Sequence, residues 1–509
     1  MTCTVSSLVC IRADANPHAI SVSYSLHARL ASGASVIDKR SNIQVLPLPA
    51  GTGRLSTLAL LASAFLLTAI DATVIYVAIP SIQRDIGSAT RPVSWIMIAY
   101  LVGFIAFVLI SGRLSDTLGR RRIFVIGMAV MALASLVNGL TSSMDLLLAG
   151  RMLQGAAAAV VAPTMLPLLV ATLGSGAVLG KAFSVWTAVG AFGGTIGLVF
   201  GGIITDTVGW RWIFLGNGIA AVAILVLVPP RLRENRSPHS TSAVAPAPAA
   251  VLAIGIASIL LTINSTRGMV LQKVAALALV ACAAGAGLIL AARVRSGPGS
   301  LAQRLERWRK RWGGMLVLLV AGAITDGLLL LTTLYRQQER GWSAGALGLA
   351  LTSLTLSSVV GSMIGQTLVP NQGLRRAACS GLLLVAGGLG ILVKSGVEGG
   401  VHHLLLGMTL CGLGLGCAFV SAQIAVVSSY HDTEAPLAGS IADAAFSSGG
   451  ALSLAILSAS VLARDMSHGL QSVRSGDLSS ALLGLALAST LVFGTTLAML
   501  RKPSRPREP

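Results

Sequence analysis

The residues that could do chemistry here are a few ionisable groups set inside long apolar runs. The stretch "LLTAIDATVIYVAIPSIQRDIG", Leu66 to Gly87, carries Asp71 within a run long enough to cross a bilayer. Asp326 and Asp443 lie in two later runs of the same kind, and Arg151 opens another, "RMLQGAAAAVVAPTMLPLL". A charge in hydrocarbon is expensive, so such groups face a bundle interior, find partners and mark ion or substrate pathways. Desolvation favours the neutral form of a buried acid, which lets it bind and release a proton. Proton movement across an apolar barrier is the chemistry these residues suggest, with Asp71, Arg151, Asp326 and Asp443 as the candidate groups. For Arg151 the bland alternative is a side chain snorkelling to a span end.

Enzyme chemistry finds no support. In "GSGAVLGKAF" the phosphate-loop pattern fails twice, because Ser175 stands where the first glycine belongs and Ala182 follows Lys181. "CGLGLGCAF", Cys411 to Phe419, has the wrong glycine spacing for a dinucleotide turn and reads as close helix packing. His402, His403 and His431 fit neither a metal site nor a nucleophile pattern and read as solvated loop ends. Cys3, Cys10, Cys282, Cys379, Cys411 and Cys417 lack metal-ligand spacing. No cofactor, no metal and no catalytic residue is expected.

The elements that must position the four charges follow from composition. The 509 residues are 54% hydrophobic and 11% charged, against about 25% charged in soluble domains. This is an all-α polytopic membrane protein. The formal net charge of +19 sits between apolar segments rather than on one face, which excludes nucleic acid as a partner. Spans of about 20 apolar residues match a hydrocarbon core of about 30 Å. Counted this way, the sequence predicts fourteen transmembrane helices, the first over 55–79, the seventh over 248–264, the eighth over 270–292 and the ninth over 314–334. With the N-terminus in the cytoplasm, most of the 37 Lys and Arg fall on the cytoplasmic side. Dropping one helix would put "RVRSGPGSLAQRLERWRKRW", Arg293 to Trp312, outside, so the positive-inside rule supports the even count.

The expected organisation is a disordered cytoplasmic tail over 1–53, a six-helix bundle over 54–229, a 230–313 linker, a second six-helix bundle over 314–500, and a cytoplasmic tail over 501–509. The linker carries two inserted helices and a basic loop. Arg12, Asp14 and His18 interrupt the apolar residues of the N-terminal tail, which argues against a secretory signal. Within 298–313, Leu301, Leu305, Trp308 and Trp312 recur at helical spacing, and the basic stretch is expected on the inner leaflet.

Four longer patterns point further. "GRLSDTLGRRRIFVIG", Gly112 to Gly127, combines turn glycines Gly112 and Gly119 with Asp116 and the basic run starting at Arg120 and Arg121. It resembles the loop between helices 2 and 3 of the major facilitator superfamily, whose Asp and Arg lock one access state; Thr117 replaces a basic residue of that pattern. Gln154, Gly155 and Pro163, following Arg151, resemble the fourth helix of drug:proton antiporters, in which the Arg is implicated in proton movement. Gly193, Gly197 and Gly201, extended by Gly190 and Gly202, form a small-residue stripe that resembles the antiporter motif, with Leu198 in place of its Pro. "IDATVIYVAIPSI" then resembles the first helix of the fourteen-helix drug:proton antiporter-2 family, with Tyr76 replacing an Asn.

That resemblance implies two six-helix bundles related by an axis along the membrane normal, with two further helices inserted between them. It implies a multi-pass cell-membrane protein, expected to be a monomer with both termini cytoplasmic. The implied partners are protons, a small-molecule substrate and the lipid bilayer. The function it implies is export of amphipathic or lipophilic, mainly cationic drugs or antibiotics by alternating access, with Asp71 or Asp326 carrying the proton. Thr73, Gln154, Tyr335 and Gln337 are the expected cavity residues. The alternatives are a proton-coupled metabolite importer of the same superfamily and a non-transporting membrane sensor or scaffold.

Overall fold

A computed structural model describes residues 53–86, 94–173, 177–227, 232, 301–395, 400–430, 435–468 and 475–499. All of them belong to the unit Thr52–Pro509. The expected N-terminal tail, the helices at 248–264 and 270–292, and the C-terminal tail lie outside the described residues, apart from Gly53.

The described chain is helical almost throughout, as long apolar runs with few internal breakers require. In chain order the helices are α1 (Gly53–Thr73), α2 (Ile75–Ile86), α3 (Trp95–Leu118), α4 (Arg120–Leu140), α5 (Met144–Leu173), α6 (Ala177–Thr207) and α7 (Arg211–Leu227). There follow α8 (Leu301–Leu334) with a π turn (Tyr335–Glu339), α9 (Ala344–Gln372), α10 (Leu374–Ser395), α11 (Val401–Val427), α12 (Ala435–His468) and α13 (Ser475–Met499). Among the described residues 7 helices are long and apolar enough to cross a membrane, or up to 8 if the bent pair α1–α2 is one span. α3, α6, α7 and α13 contribute shorter apolar stretches.

Helices α1 to α7 pack among themselves, as do α8 to α13, and the two halves meet where α6 faces α9, α3 faces α12, and α2 faces α8 and α9. Both halves turn between their second and third spans on one glycine of positive φ, Gly119 (φ 100°) and Gly373 (φ 88°), a backbone that side chains disfavour. The expected turn pair is therefore reduced to one: Gly112 lies inside α3, which continues to Leu118.

Two other elements differ in extent from expectation. The basic stretch, expected as a loop up to 313, is helical from Leu301, because Leu301–Leu334 is one continuous helix through Gly313 and Gly314. Gly314 needs no Cβ there, since one would press on the Ala422 carbonyl at 2.8 Å. The first span is not one helix: α1 and α2 meet at a bend of 52°. Two residue types explain the bend. The Thr73 hydroxyl donates to the carbonyls of Ala69 and Ile70, a back-bond that bends helices. Pro80, inside α2, has no N–H to give the preceding turn.

Candidate functional site

The site is built on four helices of the first half. Arg151 and Gln154 are three residues apart on α5, so both point to one face, and Ser135 and Asn138 have the same spacing on α4. Close approach of α3 and α5 brings that face inward: a Cβ on Gly155 would strike the Tyr100 carbonyl, and one on Gly103 the Met152 carbonyl. Asp71 on α1 and Asn217 on α7 complete the cluster. Asp71 is 1% exposed, Arg151 0% and Gln154 0%, so this is a charge pair taken out of solvent.

Its geometry meets most of the hydrogen-bonding demand that burial creates. Arg151 Nη1 donates to Asp71 Oδ2 at 3.4 Å and to Gln154 Oε1 at 3.1 Å. Asp71 Oδ1 accepts from Gln154 Nε2 at 3.0 Å and from Asn217 Nδ2 at 2.7 Å. Ser135 Oγ accepts from the same two amides at 2.8 and 3.3 Å, and Asn138 Nδ2 donates to Gln154 Oε1 at 2.9 Å. The Arg151 guanidinium stacks on Tyr100, 4.5 Å from the ring centroid, which compensates the cation on its apolar side. Arg151 Nη2, Asn138 Oδ1 and Asn217 Oδ1 remain without a hydrogen-bond partner. A buried ion pair with spare donors and acceptors can rearrange its hydrogen bonds without leaving the protein interior.

Of the four predicted charges, the structure brings Asp71 and Arg151 together and sets the other two apart. Asp326, on α8, faces Tyr76 of α2. It presses against Gly450 of α12, where a Cβ would overlap the carboxylate. Asp443, on α12, accepts from Gln423 Nε2 at 3.3 Å.

The predicted loop residues divide as follows. Gly119 makes the turn, and Arg120 and Arg121 open α4 half-buried. Gly112 and Asp116 are helical, and their side-chain surroundings lie outside the described residues. The glycine stripe of α6 packs on α1: Gly190 meets Phe65, Gly193 meets Ala69, Gly197 meets Thr73 and Gly201 meets Val74. Gly202 instead faces the other half, at Ala344 and Gly345.

The four expected cavity residues are all engaged in protein contacts. Thr73 donates to the Gly194 carbonyl at 3.2 Å, Gln154 belongs to the charge cluster, and Gln337 Nε2 donates to the Val77 carbonyl at 2.9 Å. Tyr335 is buried beneath Arg336 and Arg340. Sequence reasoning missed Asn217, Ser135, Asn138 and Tyr100. The rule that flagged Asp71, a polar group inside an apolar span, would have found the first three. It also missed Asp206, which lies past the apolar part of α6 and accepts from the backbone N–H groups of Ala344 and Gly345 at 3.0 and 2.6 Å.

Comparison with known proteins gives a consistent neighbourhood. A family model described as Major Facilitator Superfamily matches residues 61–454. The puromycin resistance protein pur8 of Streptomyces alboniger is 32% identical over 417 residues, covering 79% of this chain and 80% of that protein. The cephamycin export protein CmcT of Amycolatopsis lactamdurans is 31% identical over 413 residues, covering 79% and 84%. In fold, the chain is similar to a bacterial homolog of the human lysosomal transporter Spinster, solved in an inward-facing, unoccupied conformation. The TM-score is 0.63 at 13% identity, over 89% of this chain and 100% of that one.

Proposed function

Because the chain belongs to the major facilitator superfamily, we propose that this multi-pass membrane transporter is a proton-coupled exporter of amphipathic, mainly cationic drugs or antibiotics. The observation that carries the reading is the buried Asp71–Arg151 pair with its ring of amides. A structural protein gains little from such a pair, because desolvation offsets most of its attraction. A transporter gains a polar element that can exchange partners inside the membrane. The names of the relatives, a puromycin resistance protein and a cephamycin exporter, support export over import.

In this reading the chain has fourteen helices, two bundles of six and two between them, with both termini in the cytoplasm. The half-to-half contacts near Gln337, Gln338 and Asp206 then close the outer end, and the cavity opens inward. Alternating access exchanges that closure for one at the cytoplasmic end, where the Gly119 turn and its arginines sit. Each proton moving inward gains about 2.3 kcal/mol per 100 mV, enough for roughly fifty-fold accumulation of substrate outside.

Cells making the chain should hold less ethidium and puromycin than cells lacking it, and a protonophore should erase the difference. Asp71→Asn should abolish the coupled efflux while leaving the protein in the membrane, because Arg151 loses its counter-charge. Unchanged efflux in that variant, or accumulation that ignores the gene for both compounds, sinks the reading.

A further inference from the structure

Two arginines are buried among the described residues, Arg151 and Arg336. Arg151 has Asp71 as its counter-ion. Arg336, in the π turn that ends α8, is only 8% exposed, yet its guanidinium forms no ion pair and no hydrogen bond among the described residues. Unlike Arg151 Nη2, its nitrogens are not sealed from solvent, so the group has an open edge. The local chain builds this setting. Gly341, at φ 66°, turns the backbone back, and the Trp342 N–H donates to the Arg336 carbonyl at 3.0 Å. The guanidinium then lies 5.2 Å from the Trp342 ring centroid and 5.7 Å from that of Tyr335. Arg340 donates from Nε and Nη2 to Tyr335 Oη at 3.4 and 3.3 Å, which places a second cation at the same ring.

The carboxylates described at this end do not neutralise Arg336. Asp85 holds Trp210 and Arg211, and Asp206 holds the Ala344 and Gly345 amides. Glu339 is exposed and forms no ion pair among the described residues. A cation removed from water is costly until an anion meets it, and aromatic faces offset only part of that cost. The anions that match a guanidinium fork are phosphate and carboxylate. Depth selects between them. The 22 residues of α8 from Gly313 to Leu334 carry one ionisable side chain, Asp326. At 1.5 Å each they rise about 33 Å, close to a hydrocarbon core of about 30 Å. The π turn therefore begins where lipid headgroups begin, with Trp342 at the level that indoles favour. Phosphate is the anion concentrated there.

We propose that Arg336, with Arg340 at its rim, binds the phosphate of an anionic phospholipid, in the outer leaflet for the orientation given above. The lipid supplies the counter-charge that the chain does not. The same π turn sends Gln337 to the Val77 carbonyl and Gln338 to Gln83, so a bound lipid steadies the contact between the halves at this end. Free inorganic phosphate shares the chemistry and is the other source to be tested.

The test titrates phosphatidylglycerol into delipidated full-length protein in detergent and counts bound lipid by native mass spectrometry. Phosphatidylcholine and inorganic phosphate, at matched ionic strength, are run beside it. The parent should hold one phosphatidylglycerol about tenfold more tightly than phosphatidylcholine, and Arg336→Met, which keeps the packing of the stem, should lose that preference. Arg336→Lys, with the charge but not the fork, should fall between the two. Gly341→Ala, which strains the turn that seats Trp342, should weaken binding with both arginines in place. Arg84→Ala, at an exposed arginine of the same end, should bind as the parent does. Without lipid, Arg336→Met should unfold at the parent temperature or above it, because it removes a buried charge that has no counter-ion. Equal phosphatidylglycerol binding in the parent and Arg336→Met, or a lower unfolding temperature for the lipid-free variant, overturns the proposal. Thermal protection of the parent by inorganic phosphate, with none by phosphatidylglycerol, overturns the lipid assignment. No substrate or gradient enters these measurements, so a failure of the export reading leaves their outcome readable.

Discussion

Asp71 and Asp326 are both acids buried in apolar spans, yet they sit in opposite kinds of surroundings. Asp71 is enclosed by α1, α5 and α7 of one half, with a cation and two amides on its oxygens. Asp326 lies against the Gly450 backbone of α12 and forms no ion pair among the described residues. The same residue type thus sits in a charge-compensated cluster in one place and, among the described residues, without a counter-ion in another, and the difference lies in what each helix packs against.

The largest test of that contrast removes the cation from one site and the charge from the other. Arg151→Ala leaves the Asp71 carboxylate buried with amide donors but no counter-ion. Breaking a buried pair in this way costs about 3–5 kcal/mol, which should appear as a sharp loss of thermal stability in detergent. Adding Asp71→Asn should recover part of the loss. Asp326→Asn, which retains volume and breaks no ion pair among the described residues, should cost about 1 kcal/mol or less. Comparable losses in Arg151→Ala and Asp326→Asn would break the comparison.

A third acid, Asp206, joins the halves by a different device. Its carboxylate caps α9 of the second half from α6 of the first, through the Ala344 and Gly345 amides. Negative charge at a helix N-terminus is favourable, and removing such a cap costs about 1–2 kcal/mol. Asp206→Ala should therefore loosen the closed end, lengthening the distance between spin labels placed at Arg84 and Glu339. An unchanged distance would mean that this cap does not hold the two halves together.

Much of this was legible in the sequence, for identifiable reasons. Helix content and the burial of Asp71 and Arg151 follow from apolar periodicity and the cost of charge in lipid, which act locally. The pairing of Asp71 with Arg151, 80 positions apart, was open to guesswork because few charges were available to choose from. The bend after Thr73 was not legible, since it depends on a hydroxyl back-bond and a neighbouring helix as well as Pro80. Gln337 shows the limit of such reading: polarity in a span shows that a partner is needed, and the protein contact of Gln337 with the Val77 carbonyl was set by how the halves meet.

The smallest expected effect concerns the neutral contact beside Asp71. Thr73 donates to the Gly194 carbonyl of α6 at 3.2 Å. In a continuous helix that carbonyl already accepts from the Leu198 N–H, one turn on. The threonine bond is therefore a second bond on a satisfied acceptor, and Thr73→Val should cost only about 0.5 kcal/mol. Leu198→Pro, which installs the residue of the antiporter pattern, removes the N–H and leaves Thr73 as the donor that serves Gly194. In that background Thr73→Val should cost about 1–3 kcal/mol, because the carbonyl then has no partner. A double-mutant cycle read by thermal unfolding measures the difference. A coupling near zero would show that the hydroxyl is retained for bending α1 rather than for bridging to α6, and the anchor around Asp71 would then rest on its charged and amide contacts alone.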